Sequence, residues 1–200
     1  MILAKFHNPS ILNPDFLVKN NIVPRDWKAI EVLTSPPFST IKYDKKVIFL
    51  LDQERFEIRK ECEGFLTNYD IHRFASKYVR TLPHVNYTSV GLNWHISVEN
   101  DNPDKFLIER FINPTSLKDT ESELIHAFIK LSFKLNGIVC NVDLAPGKAR
   151  TTSRDFYNAI IINVNFHYQG PFSSKQIVDI VRDWKDRENY TKQIIPKLIG

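Results

Sequence analysis

The sequence predicts an α+β fold, a largely antiparallel twisted sheet with two or three packed helices in a single domain. Three observations lead there. The 200 residues include 22 Ile against 7 Ala, with 14 Phe, 7 Tyr and 16 Asn, a mixture that favours strands and turns over long helices. Several stretches alternate apolar and polar residues, the period of a half-buried strand, and only a few follow helical spacing. The length is enough to bury a full core without disulfides or metals.

Residues 1–27 hold Pro9, Pro14 and Pro24 among four Asn, which reads as an extended N-terminal arm; residues 28–200 read as the α+β domain. Strands are expected at Phe38–Tyr43 and Lys46–Leu51 around an Asp44-Lys45 turn. A return through Gln53-Glu54 pairs Leu51 with Phe56, Phe49 with Ile58 and Asp52 with Arg55. Between Asn68 and Leu82, Ile71, Phe74, Ala75, Tyr78, Val79 and Leu82 fall on one helical stripe; Thr67, Asn68 or Asp70 can cap it and Pro83 stops it. Val90, Leu92, Trp94, Ile96 and Val98 then alternate with Ser89, Gly91, Asn93, His95 and Ser97, a strand with one apolar face. Asn102-Pro103 opens a short helix through Phe111, ended by Asn113-Pro114.

Asn136-Gly137 stands between two alternating runs within Ile125–Leu144, the pattern of a hairpin with a type I′ turn. That turn pairs Leu135 with Ile138, Phe133 with Cys140, Leu131 with Val142 and Ile129 with Leu144 on the core side. The other side pairs Lys134 with Val139, Ser132 with Asn141 and Lys130 with Asp143. Phe156–Tyr168 is a last long strand, with Ile160, Ile162, Val164, Phe166 and Tyr168 opposite Asn163, Asn165 and His167. Gly170-Pro171 breaks it, Ser173 or Ser174 caps a helix striped by Ile177, Ile180, Val181 and Trp184, and a further turn or two runs towards Leu198.

Charge and motifs exclude more than they select. The net charge of +4 divides as +2 in each half, with no basic tail, which permits contact with nucleic acid without requiring it. Cys62 and Cys140 form no CxxC and read as two buried reduced thiols. No apolar run has the length of a signal peptide or a membrane span, so a soluble cytoplasmic protein is expected. The six Gly are isolated, so no glycine-rich phosphate loop exists. The six His are at least 11 residues apart and form no HExxH or HxH, so no sequence-local metal site is expected, and no cofactor. Ser39 and Lys42 match SxxK spacing, but on a strand they point to opposite faces.

Two candidate sites remain. Asn93 and His95 share the polar face of one strand, and Asn163, Asn165 and His167 that of another. Were the strands neighbours, this cluster would bind a polar ligand or position a general base; the plain alternative is a solvated or helix-covered face. In the segment Gly147–Arg154, the side chains of Lys148, Arg150 and Arg154 alternate with hydroxyl residues, the mixture that contacts phosphates. Lys134 is a fourth member of this polyanion-binding candidate; the alternative is an ordinary polar loop leaving the hairpin at Pro146.

The order of pieces from Val47 to Tyr168 resembles a sporadically distributed family of uncharacterised bacterial proteins. The likeness lies in the polar turn near Leu51-Asp52, Phe74-Ala-Ser-Lys-Tyr78 on a helix, Val90-Gly-Leu-Asn-Trp-His-Ile96 on the next strand, and the long strand pair after it. Asn93-Trp94 stands here where the family pattern has Arg-Tyr. The resemblance implies an accessory rather than a housekeeping role and carries over no functional residue. With every local catalytic signature absent, the expectation is a non-enzymatic module that binds a protein partner or itself through an exposed edge or open sheet face. The alternatives are weak, sequence-independent nucleic-acid binding through 147–154 and an enzyme assembled around His95 and His167.

Overall fold

The computed structural model describes residues 1–62, 64, 71–112, 123–151 and 155–200. Among them are nine strands: β1 (Ile2–Lys5), β2 (Ala29–Thr34), β3 (Phe38–Tyr43), β4 (Val47–Asp52), β5 (Arg55–Lys60), β6 (Asn86–Glu99), β7 (Ile129–Leu135), β8 (Ile138–Ala149) and β9 (Tyr157–Phe172). The helices are α1 (Pro14–Lys19), α2 (Ile71–Thr81), α3 (Pro103–Phe111), α4 (Ser174–Arg182) and α5 (Trp184–Ile199). The strands form an antiparallel sheet in the order β2-β3-β4-β5-β1-β6-β9-β8-β7, so the fold class is α+β. The chain divides into two compact units, Met1–Leu92 with Tyr168–Gly200, and Asn93–His167.

In the first unit the stretch expected as an extended arm is built into the fold. Ile2–Lys5 pair with β5 on one side and β6 on the other. Pro9 opens a 3-10 turn capped by Asn8, and Pro14 opens α1, where the Asn13 side chain accepts from the Phe16 N–H at 2.8 Å. Each proline follows an asparagine cap and sits where a helix has no use for its missing N–H. The Asn-Pro pairs are thus helix starts, and Leu12, Leu17, Ile22 and Val23 are buried behind them.

The β4–β5 hairpin has the expected register, Leu51 opposite Phe56 and Phe49 opposite Ile58, and Arg55 closes it on Asp52. The β3–β4 turn is one residue longer than Asp44-Lys45. Lys42 pairs with Ile48 and Lys46 takes φ +57, the left-handed residue of a three-residue loop. Ser39 and Lys42 do face opposite ways: Ser39 is buried and donates to the Pro9 carbonyl at 2.8 Å.

α2 packs on this sheet and against α4. The Tyr78 ring stacks on Phe56 with centroids 3.5 Å apart, and Phe74 meets Trp27 and Phe49. The proposed caps Thr67, Asn68 and Asp70 lie outside the described residues, as do Asn113 and Pro114. Cys62 is exposed rather than buried, because it falls just past β5, whereas Cys140 is buried mid-strand. β9 runs through Gly170-Pro171 to Phe172. A Cβ at Gly170 would meet the Phe172 ring at 2.7 Å and the Thr88 carbonyl at 2.9 Å, so glycine lets the strand continue where a side chain would push it off. Ser173 and Gln176 form a reciprocal capping box on α4, and α5 follows as a separate helix.

The second unit contains the hairpin in the predicted register, from Leu135 opposite Ile138 to Ile129 opposite Leu144. Asn136 and Gly137 both have positive φ, +45 and +88, as a type I′ turn requires. Residues 123–128, expected partly as strand, precede β7 without joining it. Ile160, Ile162, Val164 and Phe166 of β9 meet Cys140, Val142 and Leu144 of β8 in the core, with Trp94 edge-on to Phe166 and α3 packed over β8. Among the described residues, no helix is long and apolar enough to cross a membrane.

Candidate functional site

The polar residues of the second unit are organised by register. Asn141 pairs with Ser132 on β7 and with Asn165 on β9; Asp143 pairs with Lys130 and with Asn163. Hydrogen bonds add β6: the Asn165 amide donates to Asn93 Oδ1, and His95 Nδ1 donates to Asn163 Oδ1 over 2.5 Å. Two parallel rows result, Ser132–Asn141–Asn165–Asn93 and Lys130–Asp143–Asn163–His95. Ser132 Oγ donates to Asn141 Oδ1 at 2.7 Å, and Lys130 lies 3.9 Å from Asp143. None of these eight side chains is buried.

Four of the five residues singled out from sequence, Asn93, His95, Asn163 and Asn165, are therefore brought together. His167 is on the same face but four residues beyond Asn163, about 13 Å along the strand. The two imidazoles do not share a site. Among the described residues no group of three or more His, Cys, Asp or Glu side chains is arranged to hold a metal ion. Sequence reading missed Lys130, Ser132, Asn141 and Asp143 as members of this face. Their signal was present in the hairpin pairing, but joining it to Asn163 and Asn165 needed the β8–β9 register.

The proposed polyanion group is dispersed. β8 continues through Pro146 to Ala149, pairing Gly147 with Ala159 and Lys148 with Asn158. β7 ends its pairing at Leu144, so Pro146 stands where one side of the strand is open, the position that tolerates a residue without N–H. Gly147 to Ala149 are thus strand rather than loop. Lys134 pairs with Val139 at the other end of β8, nine residues and about 30 Å from Lys148. Arg154 lies outside the described residues. Lys148 and Arg150 are exposed, and the Arg150 guanidinium sits 5.7 Å from the centre of the exposed Phe156 ring, a cation–π contact.

In the first unit the feature that stands out is β2. Among the described residues it is a terminal strand, paired with β3 alone, and all six of its residues are exposed. Val32 lies directly opposite Ile41, which is fully buried, yet Val32 itself is 50% exposed; Ile30 and Leu33 are 60% and 49% exposed. The 3-10 turn at Pro9–Ile11 reaches β3, the strand beside β2. Nearby in sequence, Phe6 is exposed at φ +63 while His7 is buried beside Tyr78 and Tyr87. Burial pushes the His7 imidazole down from 6.5 to about 4, with Asp52 pulling weakly the other way. A shallow cleft of about 300 Å³ opens between Lys5, Phe6 and Leu82–Asn86.

No family model matches this sequence, and no curated protein or solved structure is detectably similar to it.

Proposed function

We propose that this protein is a non-enzymatic interaction module that works by strand addition at β2. The observation that carries the reading is a strand that is at the edge among the described residues, with apolar side chains on both faces and a single charge, Glu31. An extended strand laid along β2 would satisfy its open N–H and C=O groups and cover Ile30, Val32 and Leu33. The simplest donor is a second copy of the chain. An antiparallel copy centred on Val32 sets Glu31 against Leu33 and brings no like charges together.

Native mass spectrometry on the wild-type chain and on Ile30→Lys/Val32→Lys tests this, together with recovery of partners from the source cell by both proteins. The reading requires a dimer, or a recovered partner, that the double variant loses while keeping its folded spectrum. A monomeric wild type with no partner lost on substitution removes it.

A further inference from the structure

The outer face of the second unit carries residues that its own secondary structure disfavours. Asn is depleted in strands, because its short amide competes for the backbone and packs poorly on a pleated surface. Yet Asn93, Asn141, Asn163 and Asn165 occupy neighbouring positions on three adjacent strands, β6, β9 and β8. A local rule broken repeatedly at one place is the mark of a site held for something other than stability.

The hydrogen bonds within the rows use only part of what these side chains offer. Asn165 Nδ2 serves Asn93, which leaves Asn165 Oδ1 and Asn93 Nδ2. Asn141 accepts from Ser132 and keeps its Nδ2. Asn163 accepts from His95 and keeps its Nδ2, while His95, protonated on Nδ1, keeps Nε2 as an acceptor. The face therefore presents donors and acceptors side by side. Its charge is balanced, with Lys130 against Asp143 and the other members neutral when His95 is.

We propose that this face binds a neutral, hydroxyl-rich ligand of the oligosaccharide class. A hydroxyl both donates and accepts, which matches an amide row and not a phosphate, whose oxygens only accept and whose charge the row does not complement. Four strands about 4.8 Å apart and rows about 7 Å apart make a broad, extended surface, suited to a chain of sugars more than to a compact metabolite. The proposal is independent of strand addition at β2.

The experiment follows the side-chain amide signals of the four asparagines by ¹H–¹⁵N NMR during titration with cellohexaose and, separately, maltohexaose. A ten-residue oligothymidylate serves as the polyanion comparison. The expected result is a saturable shift of these signals with one of the hexasaccharides, not with the oligonucleotide. The shift is lost in Asn141→Thr/Asn165→Thr. That variant should melt no lower than wild type, because threonine suits an exposed strand better than asparagine. No shift with either sugar, an equal response in the variant, or a larger response to the oligonucleotide overturns the proposal. So does a markedly lower melting point of the variant, which would make the asparagines structural.

Discussion

At one end of the strand order, β7 alternates half-buried Ile129, Leu131, Phe133 and Leu135 with exposed Lys130, Ser132 and Lys134; at the other, β2 exposes Ala29, Ile30, Glu31, Val32, Leu33 and Thr34 together. Among the described residues both strands have one paired neighbour and one open backbone side. On β7 the lysines make an approaching strand bury charge, a common protection of sheet edges. On β2 the single charge is Glu31, no lysine stands in the strand, and apolar side chains line both faces. The difference lies in the surface that docking would bury: a strand added to β7 would desolvate two ammonium groups, and one added to β2 would remove apolar surface from water.

The largest effect should separate β2 from the strand it pairs with. Ile41→Ala empties a fully buried site and is expected to cost about 2–5 kcal/mol in denaturant melts, whereas Val32→Ala, directly opposite, should cost no more than about 0.5 kcal/mol. Equal costs would mean that β2 is covered in solution.

Acid sharpens the picture of the first unit. The unfolded chain takes a proton on His7 near pH 6.5, but the folded one holds it off until about pH 4. The unfolded state therefore binds more protons across that window, so stability should fall as pH drops from about 6.5 to 4, by about 3 kcal/mol. His7→Leu should flatten this part of the pH profile in thermal melts.

A smaller effect probes the hairpin that ends in β7. Gly137 sits at φ +88, and Gly137→Ala should cost about 1 kcal/mol because a side chain disfavours that conformation. The smallest stability change, with the clearest consequence, comes from making β7 resemble β2. Lys130→Thr/Lys134→Val should leave the melting point nearly unchanged and give the chain a new tendency to associate, read by sedimentation velocity.

How much of the fold is legible in the sequence depends on the range of the forces. The β7–β8 register is readable because Asn136-Gly137 fixes it locally, and the stripe of α2 because its period needs no partner. The β3–β4 loop differs from expectation by one residue, since Lys46 reaches positive φ without a glycine to announce it. Asn8-Pro9 and Asn13-Pro14 look like loop punctuation until the asparagines are seen capping, and Pro146 looks like an end until its neighbour is known to stop at Leu144. The exposure of β2 is beyond reach, because edge position depends on strand order, which no single segment encodes. For the polar face, alternation places Asn93 with His95 and Asn163 with Asn165. Only long-range pairing joins them to each other and to Asn141 and Asp143.

Hydrogen–deuterium exchange across a concentration series tests the central claim most directly, that β2 and not β7 is the surface where another strand adds. The account predicts that amides of Ala29–Thr34 exchange fast in dilute protein and become protected as concentration rises, while those of Ile129–Leu135 stay the same. Protection arising in β7, or association with unchanged exchange in β2, would contradict it.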